Sequence, residues 1–312
     1  MDRQDFGRYK HGEGSFANMA PWHDRSGNFS PFKTAIFGLL FVPALVIGVD
    51  YATDNLGPRA LNEVIHLIGL WAIRLLMLSL AVTPLRQIWQ WPRLVVVRRM
   101  LGVAAFVYAA VHLVAYTASL AFKLEMLVVE IVVRIYLTIG FVALLALAAL
   151  AITSTDGMAR RLGGKRWRRL HRLVYPIAIA AVVHHFMQVK ADLTEPLLMT
   201  GALVWLLAYR LLTRNRGPAR PPAGAMLIAL TIAVAVVLAL GEAGYYLYRF
   251  NAPPLRVLSM NLDFSFGPRP VWWVLGIGVA VSVVSVLRAR RVKPSAAVTR
   301  AAPSVMSRSA GQ

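Results

Sequence analysis

The chain has 312 residues, is 58% hydrophobic with a mean hydropathy of +0.58, and carries a net charge of +20 from 34 Lys and Arg against 14 Asp and Glu. That is too apolar for an ordinary soluble domain, and the basic residues cluster between apolar blocks, which points to positive cytoplasmic loops and away from nucleic-acid binding. Cysteine is absent, which excludes C-x-x-C-H haem attachment, iron–sulfur clusters and disulfides, and leaves histidine, methionine or carboxylate to hold any metal.

Residues 1–33 are polar, contain Gly and carry charges of both signs. They lack the basic start, apolar stretch and small-residue cleavage site of a signal peptide, and read as a flexible cytoplasmic tail. Apolar blocks follow at 34–50, 64–84, 101–121, 134–153, 171–189, 197–212, 226–248 and 271–288. Each is near the length that crosses a hydrocarbon core, and they are too long and uniformly apolar for a barrel. The prediction is an all-α integral membrane bundle of about eight transmembrane helices. A six-helix core over 34–215 is followed by a two-helix extension over 216–292, with Pro218, Pro221 and Pro222 marking the break. Residues 293–312 read as a disordered cytoplasmic tail.

The connections alternate in charge. Residues 86–99, 155–170 and 210–220 are rich in arginine, whereas 51–63, 122–133 and 190–196 are acidic or mixed. Positive-inside counting puts the basic connections and both termini in the cytoplasm.

Histidines stand out against this background, because an imidazole inside a span is expensive to keep and is the commonest axial ligand of haem iron. His112 lies thirteen residues beyond Arg99, and His184 thirteen residues beyond His171. Helix rise therefore places His112 and His184 at similar depth, roughly 20 Å from the basic surface at about 1.5 Å per residue. A haem clamped between them is geometrically plausible, and the chain suggests an integral-membrane b-type cytochrome. His171 stays at the basic surface, rotated by roughly 140° from His184, or less if the helix bends at Pro176. It could ligate a second haem, or contact a propionate or a flavin phosphate; no histidine at its depth faces it from another span. His66 and His185 read as interfacial or helix-packing residues.

Arg74 interrupts the second span and must find an anion, for which a haem propionate, Glu63 or snorkelling would serve. Trp167, Arg168, Arg169 and Arg172 surround His171. They read either as topology-setting charge against anionic lipid or as a patch for propionates, a flavin phosphate or an acidic electron donor. No Ser-His-Asp set, paired mid-membrane carboxylates, H-E-x-x-H or phosphate-binding Gly loop is present, so no residue is read as catalytic. Arg161-Leu162-Gly163-Gly164 reads as a loop turn.

Several stretches resemble the MsrQ (YedZ) family of haem-binding membrane subunits, within the ferric-reductase-like transmembrane group. They are LIGLWAIRLLMLSLAVTPLR, RRMLGVAAFVYAAVHLVAY, and LTIGFVALLALAALAITSTDGMARRLGGKRWRRLHRLVYPIAIAAVVHH. The resemblance covers about residues 34–212, and the signatures TPLR, RRMLG, TSTD and GKRWRRLHRLVY are jointly specific. It implies a multi-pass protein of the bacterial inner membrane that takes electrons from the quinol pool or a flavin reductase. These would pass outward to a periplasmic molybdenum-cofactor enzyme that reduces methionine sulfoxide in proteins. It implies haem b at His112, His184 and His171, with one haem or two, and an association with FMN that falls on no particular residues. Residues 216–312 extend past the usual family core. The rival readings are a ferric or other small-molecule reductase on the same scaffold, and a transporter or assembly factor whose histidines serve protons or packing. The first usually carries a fused flavin and nicotinamide domain, and the near absence of Asp and Glu inside the spans opposes a proton-coupled transporter.

Overall fold

A computed structural model of the chain describes residue 22 and residues 28–189, 192–215, 224–265 and 267–291. Most of the two tails and the proline-rich break at 216–223 lie outside the described residues. The helices run in chain order as α1 (Pro31–Leu39), α2 (Val42–Ala52), α3 (Ala60–Ile88), α4 (Arg98–Ser119), α5 (Leu124–Val133), α6 (Ile135–Ile152), α7 (Asp156–Leu162), α8 (Gly164–His171), α9 (Val174–Gln188), α10 (Thr194–Thr213), α11 (Gly224–Phe250), α12 (Pro254–Ser259) and α13 (Pro270–Arg291). Eight helical stretches are long and apolar enough to cross a membrane: α1 with α2, α3, α4 with the turn before it, α6, α8 with α9, α10, α11 and α13. Each lies on one of the eight predicted blocks, and the chain is an all-α integral membrane protein.

Three details differ from the sequence-based expectation. Helix begins at Pro31, inside the predicted tail, with Ser30 accepting from the Lys33 N–H. The mixed loop at 122–133 is instead the apolar helix α5, too short to span; Leu124, Val128, Val129, Val132 and Val133 are exposed, as suits a helix lying along a membrane interface. The fifth span is broken at Arg172–Leu173, so His171 ends α8 while His184 belongs to α9. Pro176 accounts for the break: it has no N–H for the Arg172 carbonyl, and its ring crowds that carbonyl.

The other proline irregularities are repaired by polar side chains from distant helices. Pro43 lies at the break between α1 and α2, where the Tyr108 hydroxyl donates to the Leu40 carbonyl (2.7 Å) and accepts from the Ala44 N–H (3.2 Å). An unbroken helix would join those two groups directly. Pro84 sits inside α3 and leaves the Leu80 carbonyl without its usual donor. The Arg210 guanidinium from α10 donates to Leu80 and also to its own Leu206 carbonyl (3.0 Å), lying 5.4 Å over the Tyr175 ring of α9. One arginine therefore ties α3, α9 and α10 together. In lipid no water is present to substitute.

Helix α3 is the centre of the bundle: half of its spanning window is buried, against 6% for the first span. It packs against α4, while α6 packs against α9, and α10 closes the group against α3 and α9. The last two spans pair with each other and dock on α10. Trp205 of α10 donates to the buried Thr231 hydroxyl of α11 (3.0 Å), and a Cβ on Gly201 would meet Val274 of α13 at 2.7 Å. Close approach at small residues is the usual basis of helix association where lipid is as apolar as leucine. Arg288 also reaches back to the Trp89 carbonyl (2.9 Å).

The Pro84 repair gives a measurable coupling. Arg210→Met should lower stability in detergent by about 1–3 kcal/mol, the cost of an orphaned buried carbonyl. Pro84→Ala restores the N–H that Leu80 lacks, so the double variant should lose clearly less than the sum of the two single losses. Thermal unfolding of all three variants checks this; strict additivity would mean the carbonyl is not the link.

Candidate functional site

The four helices α3, α4, α6 and α9 enclose a cavity of about 330 Å³. Its walls are mostly apolar, with Leu70, Ile73, Leu76, Leu144, Leu147 and Ile177 among them. His112 from α4 and His184 from α9 face each other across it, ring centroids 6.4 Å apart and planes at 85°. The depth match read from helix rise is thus realised in space.

Each ring is held in the same way. His112 Nδ1 lies 2.8 Å from the Ile65 carbonyl of α3, and His184 Nδ1 lies 2.7 Å from the Tyr136 carbonyl of α6. A carbonyl only accepts, so each Nδ1 carries the proton and each Nε2 keeps its lone pair for a ligand. Second-site hydrogen bonding of this kind fixes the tautomer and orientation of a metal-binding histidine. Glycines make the approach possible. A Cβ on Gly69 would stand 2.8 Å from His112 Nδ1, and one on Gly140 would stand 2.7 Å from His184 Nδ1. Each glycine lies four residues after the carbonyl its histidine uses, one turn along the same helix face.

An imidazole nitrogen binds a first-row metal at about 2.0–2.1 Å, so two imidazoles on opposite sides of one ion have centroids roughly 6 Å apart. The observed spacing fits that arrangement. Among the described residues no group of three or more His, Cys, Asp or Glu gathers as a metal site. An ion held by this pair needs its remaining ligands from elsewhere, as a macrocycle supplies them.

The other sequence-derived residues are placed differently. His171 is outside the cavity; its ring stacks on Trp167 at 4.0 Å and its Nε2 is 3.3 Å from the Thr153 hydroxyl. No other histidine ring among the described residues stacks on or faces it. Arg74 does not line the cavity either. Its anion is Glu195 of α10, at 2.7 Å, and not Glu63, with the Trp71 ring at 5.0 Å. Arg172 is exposed at the end of α8. His66 and His185, which the sequence presents as interfacial or helix-packing residues, both line the cavity and face each other at 5.9 Å.

The signature motifs assemble the basic end. Thr155 of TSTD accepts from the Met158 N–H to start α7, and Asp156 pairs with Arg99 of RRMLG. The Thr153 carbonyl accepts from Trp167 Nε1 (2.9 Å). Gly163 joins α7 to α8 at φ +73°, a conformation only glycine adopts easily. At the opposite end, hydrogen bonds from Thr194 hold the Asp192 carboxyl below its usual range.

Two tautomer-locked imidazoles thus face each other across a mostly apolar cavity inside a bundle of apolar helices. The family model described as "Ferric reductase like transmembrane component" matches residues 68–182. The chain is 42% identical to the protein-methionine-sulfoxide reductase heme-binding subunit MsrQ of Rhodospirillum rubrum, covering 61% of this chain and 93% of that one. It is 44% identical to the MsrQ of Xanthomonas campestris pv. campestris, covering 61% and 94%. No solved structure matches the chain. The chain belongs to the MsrQ family.

Sequence reasoning missed Gly69, Gly140 and the two carbonyls. The available signal was an isolated glycine in an otherwise apolar helix, which usually has a packing reason. Gly69→Ala and Gly140→Ala should each displace their histidine and reduce haem content per purified polypeptide to half or less, with Gly102→Ala, whose Cβ has 3.4 Å of room beside Ser79, as the near-neutral control. A pyridine haemochrome assay reads the outcome.

Proposed function

We propose that this chain is the electron-relaying membrane subunit of a protein-methionine-sulfoxide reductase, with one haem b clamped between His112 and His184. The observation that carries the reading is the pair of facing rings, 6.4 Å apart, each with its Nδ1 committed to a backbone carbonyl. Bound haem supplies one-electron redox chemistry, at a potential set by its axial ligands and the surrounding dielectric. The protein's residues do the rest. His112 and His184 present neutral nitrogens, the apolar walls exclude water, and the carbonyls of Ile65 and Tyr136 keep both rings from turning.

Reduction of a sulfoxide takes two electrons, so the relay works in two successive single transfers. The proposed orientation rests on charge. Positive-inside logic places the Arg-rich end, with both termini, in the cytoplasm of a bacterial inner membrane. There Arg168, Arg169 and Arg172 supply cations for an acidic donor protein or for the phosphate of FMN. Quinol or a reduced flavin is the donor, and electrons come in past the stacked Trp167–His171 rings. The recipient is a periplasmic molybdenum-cofactor subunit at the opposite end. His171 belongs to the intake side and not to the clamp, since its Nε2 meets Thr153 and Trp167 covers its face.

A reduced-minus-oxidised absorbance spectrum of the purified full chain tests the assignment. His112→Ala and His184→Ala should each remove most of the haem, whereas His171→Ala should keep it and slow reduction by the donor about tenfold or more. Full haem retention in the His184 variant refutes the clamp, and loss of half the haem in the His171 variant would establish a second site.

A further inference from the structure

The cavity holds more polar side chains than its two facing histidines require. Apart from His112 and His184, these are Asn62, His66, Tyr116, Ser119, His185 and Gln188. All six occupy the first two turns of α3 or the last turns of α4 and α9, at the end away from the arginine-rich connections. The other half of the cavity, around Leu76, Leu147 and Ile177, is apolar.

His185 is the informative member. It is 5% exposed, it lines the cavity, and its Nε2 has no hydrogen-bond partner. A buried polar group left unpaired is costly, and an acceptor on a ligand in the cavity would satisfy it. His66 faces it at 5.9 Å and brings a second imidazole to the same spot. The Tyr116 hydroxyl is already engaged by Glu130 (3.1 Å), and Arg74 by Glu195. The two imidazoles, with Asn62 and Gln188 at the mouth, are the donors left for an anion.

A ligand with an apolar body and one anionic edge has a single favourable orientation in such a cavity. Haem is such a ligand, with two propionates on one edge. We propose that His66 and His185 form the propionate seat, so that the haem lies with its carboxylates towards the acidic end and its apolar edge towards the arginine-rich end. This rests on the clamp at His112 and His184. It reverses the orientation that Arg172 would suggest from sequence alone, because Arg172 does not line the cavity.

The test uses full-length protein in membranes from haem-deficient cells, titrated with haem or with haem dimethyl ester, whose carboxylates are blocked. Wild type should prefer haem over the ester by roughly ten- to hundredfold, the size of one or two hydrogen bonds to a charged group. His66→Leu/His185→Leu should bind both ligands equally while keeping the low-spin spectrum of two axial imidazoles; Arg172→Leu should leave the preference intact. An unchanged preference in the double variant, or a preference that disappears with Arg172, overturns the seat while the clamp stands. Absence of the low-spin spectrum in wild type overturns both. Should the double variant not survive solubilisation, the propionate bending band in the resonance Raman spectrum of wild-type and His66→Leu holoprotein decides: a shift supports the seat, and an unmoved band overturns it.

Discussion

Every exposed backbone group in a lipid-buried helix must find a protein partner, and that constraint organises this molecule. The Tyr108 hydroxyl bridges the break at Leu40–Ala44, Arg210 answers the carbonyl that Pro84 orphans, and the histidine rings bind Ile65 and Tyr136. In water each of these contacts would compete with solvent and contribute little. Inside a bundle there is no competitor, so each decides which helices sit side by side. The same rule that holds the scaffold together also aims the imidazoles.

The two halves of the cavity use one device twice. In α3 with α4, and in α6 with α9, a histidine on one helix donates to a carbonyl on its neighbour, beside a glycine one turn further on. Both rings are locked to separate helix pairs, so the distance between them depends on how those pairs pack. The α10 helix rests on α3 and α9, one from each pair, and Arg210 joins the same two helices. The last two spans lean on α10. The last two spans therefore brace the helix that rests on one member of each histidine-bearing pair.

Much of this was legible in the sequence. Span number, alternation of charged ends and the shared depth of His112 and His184 follow from hydropathy and helix rise, which are local quantities. What was not legible depends on partners far away in the chain: Arg210 meets Leu80 across 130 residues, and Arg74 meets Glu195 across 121. The pairing of His66 with His185 required knowing the rotation of α3 against α9, which no periodicity supplies. The helix α5 is hidden in the sequence because ten residues are too few for a span and Glu125 and Glu130 give the run the charge of a connection.

The break at Arg172–Leu173 has a mechanical meaning. An unbroken helix is a stiff rod, and a force applied at one end turns the residues at the other. Here the surface segment carrying Trp167 and His171 is jointed to the segment carrying His184. Under the proposed relay, a donor that pressed on the arginine-rich face would reach His184 only through the turn at Arg172–Leu173. The proposed intake residues and the proposed haem ligand thus stand on separate helical segments, joined by one turn.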